Sequence, residues 1–195
     1  TAMKLFGLLG LLMLLSCGYA DRHRNSSSCE QALVDSLEVR VQDSLFSNVH
    51  YSRSQLLEAL TQTQDSLVYY RLLALYGKTF FVSSDFDSIL YYNRRVKEFS
   101  RNASQSSESL QSPRWNDVLS DVYNIEGNVW MQLNRPDSAI IDYKKAYGYR
   151  LEGKKLHLLP DICINIADAY LHRSDLAHTA SYYRRALFLC DSLNL

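Results

Sequence analysis

Three runs late in the chain, "ILYYNRRV" (89–96), "AIIDYKKA" (139–146) and "TASYYRRA" (179–186), set apolar residues at helical spacing and turn basic residues outward. That periodicity predicts amphipathic helices. Each run follows a short polar break, "SSDFDS" (83–88), "NRPDS" (134–138) or "RSDLAH" (173–178), whose aspartates and asparagine suit the end of one helix and the cap of the next. Strand-like stretches rich in valine and isoleucine are missing, and only seven glycines and three prolines interrupt long runs of good helix formers. The pattern predicts an all-α fold.

The runs are copies of one unit. From Gly127, large or small residues fall at Trp130, Ala139, Tyr143 and Ala146; the same steps from Ala167 reach Tyr170, Thr179, Tyr183 and Ala186, and from Gly77 they reach Phe80, Ile89, Asn93 and Val96. Small residues at 77, 127 and 167 are expected where the second helix of each unit crosses the first. A glycine within a helix costs about 1 kcal/mol relative to alanine, which close packing must offset.

This arrangement resembles the tetratricopeptide repeat (TPR), W-x2-L-G-x2-Y followed by A-x3-F on an antiparallel helix pair. The middle copy matches with Tyr123, Glu126, Gly127, Trp130, Ala139 and Tyr143, the last with Cys163, Ile166, Ala167, Tyr170, Thr179 and Tyr183, and the first with Leu73, Tyr76, Gly77, Phe80, Ile89 and Asn93. It departs from the family at Glu126, where leucine is usual, at Asn93, where a large apolar residue is usual, and in copies spaced by 50 and then 40 residues rather than about 34. The surplus in the first copy falls in "NASQSSESLQS" (102–112). The long, tyrosine-rich form resembles repeats of sensory proteins of the Bacteroidetes. The resemblance implies a right-handed superhelical solenoid of antiparallel helix pairs, with units at about 63–103, 113–153 and 157–195 and a degenerate pair capping the array at 30–62.

The resemblance also implies a concave groove for a protein or peptide, lined by the first helix of each unit. Its residues would be Asp121, Asn124, Asn128, Met131 and Gln132 in the middle unit, Asp161, Ile164, Asp168, Leu171 and His172 in the last, and Arg71, Lys78 and Phe81 in the first. Asn124 and Asn128 would pair with a ligand's backbone in either sense.

The first twenty residues differ. Lys4 precedes an eleven-residue apolar run, "LFGLLGLLMLL" (5–15), shorter than the roughly twenty residues a membrane span needs but suited to a secretory signal. "LLSC", ending at Cys17, resembles the lipobox of bacterial lipoproteins, which implies cleavage before Cys17 and lipid on its sulfur. The polar, serine-rich stretch at 18–29 reads as a tether. An exported, lipid-anchored protein of the cell envelope is expected, facing the periplasm.

Charge and motifs narrow the function. Twenty-one basic and 21 acidic side chains cancel to zero, which leaves no electrostatic footprint for nucleic acid. "YGKT" (76–79) lacks the glycine that a phosphate-binding loop needs five residues earlier, where Leu72 stands. The five histidines are scattered, so no metal site is expected. Asp161 and Asp168 lie seven apart on one helix, a spacing commoner in solvated than in catalytic carboxylates. No catalytic constellation, and no cofactor, is expected. Cys163 and Cys190 lie at ends that a helical hairpin would bring together; they form a disulfide or remain two small buried residues. The expected function is a non-catalytic binding module. The alternative is the sensory region of a signalling protein, with a diguanylate cyclase, histidine kinase or LuxR-type output domain beyond residue 195; Leu187, Phe188 and Leu193 on an uncapped last helix favour it.

Overall fold

The computed structural model describes residues 32, 34–41, 47–103 and 112–195. The signal-like segment, the tether with Cys17 and Cys29, and most of the serine-rich stretch at 102–112 lie outside the described residues. The fold is all-helical. Helix α1 covers residues 34–41, α2 Val49–Gln62, α3 Ser66–Lys78, α4 Phe86–Ala103, α5 Pro113–Gln132, α6 Pro136–Leu151, α7 Leu159–His172 and α8 Leu176–Leu193. Contacts divide the chain into two compact units, Thr1–Leu72 and Leu73–Leu195.

In the first unit, Val34, Leu37 and Val41 of α1 and Leu56 and Ala59 of α2 are buried. Asn48 caps α2 by accepting from the Tyr51 amide (3.1 Å), and Asp65 caps α3 by accepting from Leu67 N (2.8 Å), each satisfying an amide with no partner inside its helix. Arg71 is buried, with its guanidinium 2.8 Å from Asp35 and 3.9 Å from Glu38. Arg71, expected to line a groove, is thus placed against two carboxylates of α1.

In the second unit, one hairpin turn recurs three times. Ser84, Asn134 and Ser174 adopt left-handed backbone with φ of 54°, 56° and 58°. One residue later, the amides of Asp85, Arg135 and Asp175 donate to the carbonyls of Phe80, Trp130 and Tyr170 at 3.2, 2.8 and 3.0 Å. This closes the first helix of each pair in the manner of a Schellman cap, in the first pair by way of the 3-10 turn Thr79–Ser83 that follows α3. Asp85 and Asp175 then cap α4 and α8 through Ser88 N (3.1 Å) and His178 N (3.2 Å). In the middle turn Pro136 stands at the start of α6 instead, with its φ already set for a helix.

Pairing between α5 and α6 is antiparallel, since rising numbers on one meet falling numbers on the other. Arg150 reaches Asp117, the Ser120 hydroxyl donates to the Ala146 carbonyl (2.8 Å), and the Trp130 indole donates to Asp142 (2.8 Å). Gly127 lies under the Tyr143 ring and Gly77 under Tyr92, while Ala167 is fully buried with the Thr179 hydroxyl 3.5 Å from its carbonyl. The small residues do sit at helix crossings. Between α6 and α7 a cluster of Ala139, Ile140, Tyr143, Ile162, Ile166 and Tyr170 forms the core, each isoleucine contributing about 2 kcal/mol by burial.

The two departures from the repeat pattern also find partners. Asn93 donates to the Val122 carbonyl (3.2 Å), and Glu126 meets Lys97 Nζ at 2.6 Å, so both tie α4 to α5. Burial raises the Glu126 pKa, against the opposing pull of Lys97.

Candidate functional site

A cleft of about 450 Å³ opens between the C-terminal turns of α5 and α7, with Tyr143 of α6 on its third side. Met131 and Gln132 line it from α5, and Asn165, Asp168, Leu171 and His172 from α7. Helices that open successive hairpins meet directly, with the Asn165 amide donating to Asn124 Oδ1 at 3.0 Å.

Two equivalent tyrosines fix the polar groups around it. The Tyr143 hydroxyl donates to Asn128 Oδ1 at 2.7 Å, and forty residues later the Tyr183 hydroxyl donates to Asp168. Burial pushes the Tyr143 phenol well above its ordinary pKa, and the Asp168 charge acts in the same direction. Tyr183 is raised chiefly by its bond to Asp168. Both phenols therefore stay protonated donors at neutral pH. Met131 is half-buried against the α6/α7 core, whereas Leu171, 47% exposed, presents its side chain to solvent at the rim.

Of the thirteen groove residues expected from the sequence, Met131, Gln132, Asp168, Leu171 and His172 converge here. Asn124 and Asn128 lie near but spend their side-chain carbonyls on Asn165 and Tyr143, bracing helices. Asp121 accepts from the buried Arg150. Asp161 is exposed in the first turn of α7, where it favours the helix dipole, and Ile164, 39% exposed, does not line the cleft. Phe81 packs on Phe86 with ring centroids 6.4 Å apart, and neither it nor Lys78 reaches the cleft.

Two lining residues were missed by sequence reasoning, Tyr143 and Asn165. Tyr143 reads as a core position of the repeat and is both core and cleft wall. Asn165 belongs to the face of Asp168 and His172, three and seven residues on, so the cleft-lining face of α7 is rotated by one residue from the one through Ile164. That three-and-four spacing was the available signal.

Cys163 is buried and Cys190 half-buried, and both are free thiols. Burial pushes the Cys163 thiol up to about 11. Among the described residues no three His, Cys, Asp or Glu side chains gather as a metal site, and no helix is long and apolar enough to cross a membrane. The cleft offers amides, one carboxylate, an imidazole and two flexible apolar side chains, a set suited to holding a ligand.

No family model matches this chain, and no curated protein does. Among solved structures it has a weak likeness to the crystal structure of BtubC (BKLC) from P. vanneervenii, at 14% identity over 83% of this chain and 80% of that one, with a TM-score of 0.40.

Proposed function

We propose that this protein is a non-catalytic, TPR-type binding module whose helix pairs build a solenoid and whose α5/α7 cleft receives an extended segment of a protein partner. The observation that carries this reading is the convergence of Met131, Gln132, Asp168, Leu171 and His172 on one open cleft between the first helices of adjacent hairpins. The recurring turn at 84, 134 and 174 supports a repeat built from one unit. Envelope anchoring through lipid on Cys17 rests on the "LLSC" run.

The test is a photo-crosslinking amino acid placed at Leu171 in the full chain, in cells. A discrete crosslinked protein species from position 171, and none from the exposed Glu98 of α4, is expected. Equal or no crosslinking at both positions would remove the groove. A second reading, the sensory region of a larger signalling protein, is favoured by Leu187 and Phe188 on α8, 67% and 69% exposed. A further helix packed on α8 would cover them.

A further inference from the structure

The carboxylate in the cleft lacks what its counterparts have. Among the described residues, every other buried or half-buried carboxylate meets a cation or caps a helix: Glu126 has Lys97, Asp142 has Lys145, Asp117 and Asp121 share Arg150, and Asp35 and Glu38 face Arg71. Asp65, Asp85 and Asp175 are caps. Asp168 is half-buried, accepts one hydrogen bond from Tyr183, and has no lysine or arginine beside it.

The fold itself does not require that charge. One repeat earlier, Asn128 accepts the equivalent tyrosine hydroxyl with a neutral amide. A partly buried charge without a counter-charge is less favourable than an amide of the same shape. The negative charge at 168 is thus surplus to the structural bond, and it faces an open cleft whose other walls carry neutral amides, the apolar Met131 and Leu171, the Tyr143 ring and the His172 imidazole one turn along α7.

We propose that Asp168 anchors a subsite for a lysine or arginine side chain of the bound segment, with the charged head on the carboxylate and the methylene stem along Met131 and Leu171. A charge-assisted hydrogen bond supplies the head contact, and the stem of a long basic side chain packs well on apolar surface. Gln132 and Asn165 are placed for the peptide backbone beside it. This rests on the cleft being a peptide groove.

The experiment selects phage-displayed random dodecapeptides on the full chain and measures the enriched peptides by fluorescence anisotropy. A lysine or arginine enriched at one position is expected, with binding at least about tenfold weaker after Asp168→Asn. Thermal stability should hold, because the new amide still accepts from Tyr183. Replacing that peptide lysine by norleucine, or arginine by citrulline, should cost wild-type binding as much, a readout independent of how the variant folds. Asp191→Asn, an exposed charge on α8, should leave affinity within about twofold. Enriched peptides without a basic position, lost on Leu171→Glu, would overturn the cation subsite and keep the groove. Basic peptides that bind Asp168→Asn as well as wild type would also overturn it. No enrichment, or binding indifferent to Leu171→Glu, would overturn both.

Discussion

The ring of Tyr143 on α6 fills the space that a side chain on Gly127 of α5 would need, since a β-carbon there would stand 2.3 Å from ring carbon Cε1. The ring is in turn held by its hydroxyl on Asn128, one residue further along α5. It cannot swing aside without giving up that bond. Gly148, on α6, has nothing within 4 Å of an added β-carbon. Gly127→Ala is therefore expected to destabilise by about 2 kcal/mol or more, and Gly148→Ala to stabilise by about 0.5 to 1 kcal/mol. Urea denaturation followed by circular dichroism checks both, and equal signs would contradict the packing described.

Trp130 packs against the α6/α7 core and donates its indole N–H to Asp142. Trp130→Ala is expected to cost about 3 kcal/mol, and Trp130→Phe about 1 kcal/mol for the lost hydrogen bond. A cost below about 1 kcal/mol for the alanine variant would place the indole in solvent.

Glu126 gives stability a definite slope with pH. Its folded pKa is raised above the unfolded value of 4.5, chiefly by burial. In the window above that value the native state holds more protons than the unfolded state, so this group's contribution falls as pH rises through the folded pKa. Glu126→Gln removes the titration. The difference in melting temperature, variant minus wild type, is expected to be small at pH 4 and to grow in the variant's favour toward pH 7. A difference that stays flat across that range would show an unshifted carboxyl.

The free thiols separate by reactivity. Cys163 is fully buried with its pKa pushed up to about 11, whereas Cys190 is half-buried. Iodoacetamide at pH 8 without reductant is expected to modify Cys190 in the native protein and Cys163 only in denaturant, read by peptide mass spectrometry. Failure to label either one, in denaturant as well, would reveal a disulfide.

The helix pairs were legible because their signals are local. A small residue, an aromatic three residues on and a polar turn fall within a dozen positions, and the left-handed residues at 84, 134 and 174 stand at one register in all three turns. Partners distant in sequence were not legible. Arg71 reads as an exposed helical cation until Asp35, 36 residues away, is seen against it, and Glu126 reads as a defect until Lys97 is placed beside it. The cleft falls between these cases. Its helices were found, but the choice of Ile164 over Asn165 turned on a rotation of about 100° about the α7 axis, which only packing between α7 and α5 decides.

The far end of the α5/α6 hairpin carries a different kind of consequence. Asp117 on α5 accepts from Arg150 of α6 (2.9 Å) and from the backbone amides of Lys154 (3.0 Å) and Lys155 (3.2 Å) in the connection to α7. One carboxylate thus rivets three consecutive pieces of chain. Removing that carboxylate would release all three at once and leave the buried Arg150 facing Asp121 alone.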